Sequence, residues 1–267
     1  MRESVSEIPA PEFPKPSRLS LSPIWRELSG VLSLLSPSST PPQPTRCEGP
    51  PVLLLPGFLA GDRSLSTLAG ELSAAGLRPW FAGIERNVDC SEATMARLVP
   101  VLEVISGRSG QRVAIVGHSR GGLLGRVLAR RRPDLVRTVV TLAAPYRAPF
   151  AVHPILLAHE LALALAGTAG VPGVVRLSCG LGRCCARFGA DLAAPTAAGV
   201  RYVAVYSRRD GIVDWRACAD PSVDSVEVDV NHCGMADDPH TVNLVVSLLA
   251  AGGVSAEPCG ASQALAA

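Results

Sequence analysis

Val113-Ala114-Ile115-Val116-Gly117-His118-Ser119-Arg120-Gly121-Gly122 decides how the rest of the chain is read. Four apolar, β-prone residues give way to a G-x-S-x-G pattern, and a helical pattern starts at once with Leu123-Leu124. A serine between strand and helix must turn the chain sharply. Positions two before and two after it then have little room for a Cβ and favour glycine. The turn lifts the hydroxyl above the sheet, and the helix N-terminus below it favours developing negative charge. G-x-S-x-G alone arises often by chance; in this setting it marks Ser119 as a candidate nucleophile.

Outward from that turn, short apolar runs alternate with helical periodicity, the pattern of a mostly parallel sheet covered by helices on both faces. Strands are expected at Val52–Leu55, Pro79–Ala82, Arg112–Val116, Thr138–Leu142, Val200–Tyr206 and Val223–Val230. Helices are expected at Ser64–Ala75, Ser91–Ser106, Arg120–Arg131 and His240–Ala250, the second carrying Met95, Leu98, Leu102 and Ile105 on one face. The alternation breaks between Pro145 and Pro195. A structureless loop of that length is unusual, so a cap over about 146–195 is expected, with an apolar helix at Ile155–Ala166 and a loop at Gly180-Leu181-Gly182.

Residues 1–50 are rich in Pro and Ser and read as a lead segment. One piece of it looks helical: Ile24, Trp25, Leu28, Val31, Leu32 and Leu35 form a stripe bounded by Pro23 and Pro37. Packing against the body is the simplest role for that helix; docking to a membrane surface or covering the site are the others. Its polar face lacks the basic residues of interfacial helices. The catalytic domain then spans 51–251, and 252–267 reads as a flexible tail of small residues.

Composition narrows the partners. Charged residues make up 18% of the chain and hydrophobic ones 48%, which is globular, and no apolar run reaches the roughly 18 residues of a membrane span. The net charge of +2 is too mild and scattered for a nucleic-acid footprint. Arg130, Arg131 and Arg132 fall where a helix should end and suit the negative end of its dipole. The eight cysteines, Cys47, Cys90, Cys179, Cys184, Cys185, Cys218, Cys233 and Cys259, contain no C-x-x-C pair, so zinc-ribbon spacing is absent and no metal is expected. Acidic Glu3, Glu7 and Glu12 stand where a signal peptide would be basic, which favours reduced thiols and a cytoplasmic location.

An acyl-transfer serine needs donors where the tetrahedral oxyanion forms. One is the backbone N–H of Arg120. The second should come from the loop after an earlier strand, and Leu53-Leu54-Leu55-Pro56-Gly57-Phe58-Leu59 supplies it: Gly57 lets the N–H of Phe58, ahead of that of Leu59, point into the site.

At this point the chain resembles the bacterial lipases and esterases of the α/β-hydrolase fold. A strand followed by Pro56-Gly57-Phe58, then Gly117-His118-Ser119-Arg120-Gly121-Gly122, then Tyr206-Ser207-Arg208-Arg209-Asp210-Gly211-Ile212-Val213, then Asn231-His232-Cys233-Gly234-Met235, look like that family's signature blocks in order. The likeness runs from Pro51 to Leu249 and implies a Ser–Asp–His triad. Many lipases have Pro-His-x-Gly where this chain has Pro145-Tyr146-Arg147-Ala148.

The residues themselves support such a triad. His118 sits in the turn beside Ser119, where neighbouring side chains diverge; His153 and His159 belong to the cap, and His240 opens the closing helix. His232 lies just past the last strand, in a loop able to reach over the carboxyl rim from which Ser119 emerges. Asp210 follows a strand end and precedes Gly211, so it fits the orienting acid better than Asp214, an expected helix N-cap or surface residue, or the more distant Asp229. The expected chemistry is ester hydrolysis on a small-molecule or lipid substrate through an acyl-enzyme, without metal or cofactor. An acyltransferase or thioesterase would use the same triad. A non-catalytic binding protein on this scaffold would be expected to carry a damaged one.

Overall fold

The computed structural model describes residues 27, 49–181 and 183–250. The helix expected over Ile24–Leu35, Glu27 apart, and the tail from 252 lie outside the described residues.

Among the described residues six strands form one sheet: β1 (Pro51–Leu55), β2 (Arg78–Phe81), β3 (Val113–His118), β4 (Val136–Leu142), β5 (Arg201–Tyr206) and β6 (Asp224–Glu227). Their order is β2-β1-β3-β4-β5-β6, and every pairing is parallel. The central strands are buried on both faces and read as continuous apolar runs, as parallel strands do. Their side chains alternate between two cores. Leu53, Leu55, Val113 and Ile115 face one way, with Val52, Leu54, Ala114 and Val116 facing the other.

Among the described residues seven α-helices accompany the sheet: α1 (Ser66–Ala74), α2 (Ser91–Ser109), α3 (Arg120–Arg131), α4 (Pro154–Thr168), α5 (Leu177–Leu181), α6 (Arg183–Ala193) and α7 (Pro239–Ala250). Met95, Leu98, Leu102 and Ile105 of α2 join Leu124, Val127 and Leu128 of α3 on one face. Leu68 and Leu72 of α1 join Val242, Val245 and Leu249 of α7 on the other. The expected doubly covered parallel sheet is therefore present. Among the described residues no helix is long and apolar enough to cross a membrane.

Two local expectations need correction. Gly180 and Leu181 end α5 rather than lying in a loop, and α6 follows from Arg183 with Phe188 and Leu192 seated in the core beside α2 and α3. The last strand is shorter than Val223–Val230. After Glu227 only the Val228 N–H still reaches β5, at the Tyr206 carbonyl (2.9 Å), before the chain leaves the sheet edge towards His232. The arginines ending α3 do more than face a dipole: Arg131 bridges Glu92 of α2 and Asp191 of α6 at 2.6 and 2.7 Å.

The chain winds outward in opposite directions from β1 and β3, which are neighbours, so the carboxyl ends of these two strands form the switch point where open α/β sheets place their sites. Leu55 ends one and His118 the other.

Candidate active site

Ser119 follows β3 directly, with φ 50° and ψ −120°. A non-glycine residue held there stores on the order of 1–3 kcal/mol of backbone strain, which the surrounding packing must offset. The glycines around it show why the turn demands them: a Cβ on Gly121 would lie 2.1 Å from the Leu55 carbonyl oxygen, and one on Gly117 would lie 2.4 Å from that of Gly121. Ser119 is buried, its N–H bonded to the Leu142 carbonyl at 2.7 Å.

The β1 loop comes down onto this turn. A Cβ built on Gly57 would stand 3.4 Å from the Ser119 Cβ and 3.0 Å from the His118 Nδ1, so the backbone at 57 passes beside the serine. The loop is pinned by Asn87, a buried residue that the sequence reading passed over. Its Nδ2 donates to the Pro56 carbonyl at 2.7 Å, its N–H to Ala60 at 2.8 Å, and its carbonyl accepts the Leu59 N–H at 3.4 Å. Leu59, held at φ 64°, thus has an acceptor for its N–H. Among the described residues the N–H groups of Phe58 and Arg120 have no backbone acceptor.

His232 and Asp210 meet across the rim. The imidazole Nδ1 donates to Asp210 Oδ2 at 2.7 Å, and both residues are buried. Asp210 Oδ1 accepts the N–H groups of Ile212 and Val213 at 2.8 and 2.7 Å, which aims the remaining oxygen at the imidazole. Asp214 is also buried, but it caps the short helical turn Trp215–Ala217 by accepting the Arg216 N–H. Asp229 pairs with Arg209. Of the three candidate acids only Asp210 reaches His232. Burial opposes charge on His232, yet the Asp210 carboxylate, its hydrogen bond and the charge of Glu27 together hold its pKa above the ordinary imidazole value.

His232 stands against the serine turn. Its ring lies 4.8 Å from that of His118, whose Nε2 is 3.0 Å from the His232 carbonyl. That carbonyl makes His118 Nε2 the protonated nitrogen, and burial, with His232 adding to it, drives the His118 pKa down to about 3. His118 is therefore a neutral support for the His232 backbone. Among the described residues no hydrogen bond closes the gap between the Ser119 hydroxyl and His232; such contacts commonly tighten only when substrate is bound. His153 caps α4, His159 Nδ1 bonds the Ile155 carbonyl within α4, and His240 lies on α7, so none of them joins this group.

Glu27 is a second residue that sequence reasoning missed. It is fully buried, its Oε1 accepting the N–H groups of Gly211 (2.9 Å) and His232 (3.0 Å), and its Oε2 that of Cys233 (3.0 Å). One carboxylate thus ties the loop carrying Asp210 to the loop carrying His232. Nothing in the local sequence marks it, because its partners lie 184 to 206 residues away.

Comparison with known proteins agrees with this architecture. Residues 89–167, which contain the serine turn, match the model of the alpha/beta hydrolase fold family. A triacylglycerol lipase of Burkholderia plantarii is 24% identical over 128 residues, 45% of this chain and 36% of that protein. One of Pseudarthrobacter phenanthrenivorans is 26% identical over 106 residues, 36% of this chain and 33% of that protein. The matched segment is thus about a third of the length of these curated relatives. Among solved structures, the mature form of a Bacillus licheniformis lipase superposes with a TM-score of 0.57 at 17% identity, covering 79% of this chain and 96% of the other. A Paleococcus ferrophilus monoacylglycerol lipase gives 0.52 at 16% identity, with coverages of 77% and 97%. The chain has the α/β-hydrolase fold and resembles bacterial lipases and esterases.

Proposed function

We propose that this α/β-hydrolase cleaves carboxylic esters through an acyl-enzyme formed on Ser119. The observation that carries the reading is the buried Asp210–His232 pair at 2.7 Å, held beside a serine in a strained strand-to-helix turn. A serine hydroxyl is a poor nucleophile until a base takes its proton. His232, with Nδ1–H committed to Asp210, offers Nε2 for that purpose, and the carboxylate stabilises the imidazolium that results. The N–H groups of Phe58 and Arg120 are the donors for the oxyanion, at the positive end of α3. His232 then protonates the departing alcohol, and water, activated by the same imidazole, releases the acid.

The substrate is an ester with an apolar acyl group. Phe150 and the α4 residues Ile155, Leu161 and Leu165 are exposed, which gives the chain an apolar outer surface on the segment between β4 and β5. Glu160 of α4 lies close enough to feel the charge of Arg120, so this helix runs near the serine turn. The names of the two curated relatives described above, triacylglycerol lipases, point the same way.

A chain-length series of p-nitrophenyl esters tests both activity and substrate class. Turnover should rise with acyl length from acetate, and Ser119→Ala should lower it by something on the order of 10⁶, as removing the nucleophile of such a triad does. Hydrolysis that survives Ser119→Ala would refute the assignment.

A further inference from the structure

Cys90, Cys179, Cys184 and Cys185 come from three places in the fold, and their four Sγ atoms all lie within 4.8 Å of one another. Cys90 immediately precedes α2, Cys179 lies in α5, and Cys184 and Cys185 lie in the first turn of α6. The sequence shows no metal-binding spacing because Cys90 and Cys185 are 95 residues apart. We propose that these four thiols are a tetrathiolate site for one structural zinc ion, which fastens the α5–α6 segment to the start of α2 beside the serine turn.

The geometry is that of a shared centre. A tetrahedron with Zn–S of about 2.3 Å has S···S edges of about 3.8 Å. Cys185 has two neighbours at this spacing, Cys90 at 3.7 Å and Cys184 at 3.8 Å. A disulfide would require one of these contacts to shrink to about 2.05 Å. Four soft ligands with no oxygen among them suit zinc rather than magnesium or calcium, and a set of four sulfurs leaves no position open for substrate or water.

A cation stands beside the sulfurs. The Arg120 guanidinium supplies positive charge: it donates to the Asp89 carbonyl and to Ser91 Oγ, and Cys185 and Cys90 both act on its charge. Among the described residues its buried Nε has no hydrogen-bond partner. Uptake of Zn²⁺ by four thiols releases four protons and leaves a site of net charge 2−, which this cation partly offsets.

The test uses the whole chain, purified with a non-chelating phosphine reductant and analysed for bound metal. The wild type should hold about one zinc per chain, and after chelation it should take up Co²⁺ with the intense visible bands of a tetrahedral tetrathiolate. Cys184→Ser, a change at an exposed position, should stay folded by circular dichroism while its zinc content falls to about a tenth or less of the wild type's, and Cys90→Ser should behave alike. Cys218→Ser, outside the cluster, should keep the metal. Chelation should lower the Tm of the wild type and leave that of Cys184→Ser unchanged. Reduced wild-type protein that takes up no zinc overturns the proposal. So does zinc that is retained equally by a Cys184→Ser, Cys185→Ser double variant.

Discussion

Under the proposed mechanism, the choice of orienting acid between Asp210 and Asp214 rests on what each carboxylate touches. Asp210 and Asp214 are both buried and both close to the site, so burial alone does not separate them. What separates them is the use of their oxygens: Asp210 spends one on two backbone N–H groups and the other on His232, whereas Asp214 caps the short helical turn that follows. Asp210→Asn should therefore reduce kcat/KM by about 10⁴, the magnitude seen when the orienting acid of a serine protease is amidated and the histidine is held in the wrong tautomer. Asp214→Asn should change kcat/KM far less and register in the melting temperature instead. Steady-state kinetics on the two variants checks this, and the reverse ranking would move the acid to Asp214. Asp210 stands out in the sequence because a carboxylate at a strand end, followed by glycine, is a local pattern.

At the scale of elements, the strands and most helices were legible because hydrophobic periodicity is a local property. The helix that follows Ser119 begins and ends at the residues its pattern predicts, Arg120 and Arg131. The shortened β6 was not legible. Its apolar residues continue to Val230, but the chain must leave the sheet to carry His232 over the rim, and that demand is tertiary. The loop after β1 was half legible: Pro56-Gly57 announced the turn, while Asn87, which pins it, lies 31 residues downstream of Pro56 and has no sequence signature. Asn87→Ala removes only the side-chain bond to Pro56 and keeps the backbone contacts. It should lower kcat by about tenfold to a hundredfold with little change in KM, short of the 10²–10³ that a lost oxyanion donor costs. An effect on KM alone would show that the loop serves binding rather than the transition state.

At the scale of the whole molecule, the features hidden from the sequence are those that join distant segments. Glu27 and the four clustered cysteines are examples; each depends on the sheet having already brought remote loops together. Glu27 couples the loops carrying Asp210 and His232, and its charge helps raise the His232 pKa. In the proposed mechanism the base works as neutral imidazole, so the acidic limb of the kcat/KM profile should lie above the ordinary imidazole value, and activity should be lost as pH falls through it. Glu27→Gln, which keeps one acceptor oxygen but removes the charge, should move that limb to lower pH and reduce kcat. An unshifted limb would leave Glu27 with a purely structural part. For stability the sign is opposite: a raised imidazole pKa contributes fully below the unfolded value and is lost as pH rises through the folded one. All of these expectations rest on Ser119 being the atom that takes the acyl group. The most direct measurement is to treat the folded chain with a fluorophosphonate and map the adduct by peptide mass spectrometry. One label per chain on Ser119, abolished by Ser119→Ala and slowed strongly by His232→Ala, is the predicted result; a chain that stays unlabelled, or is labelled at another residue, would contradict the account.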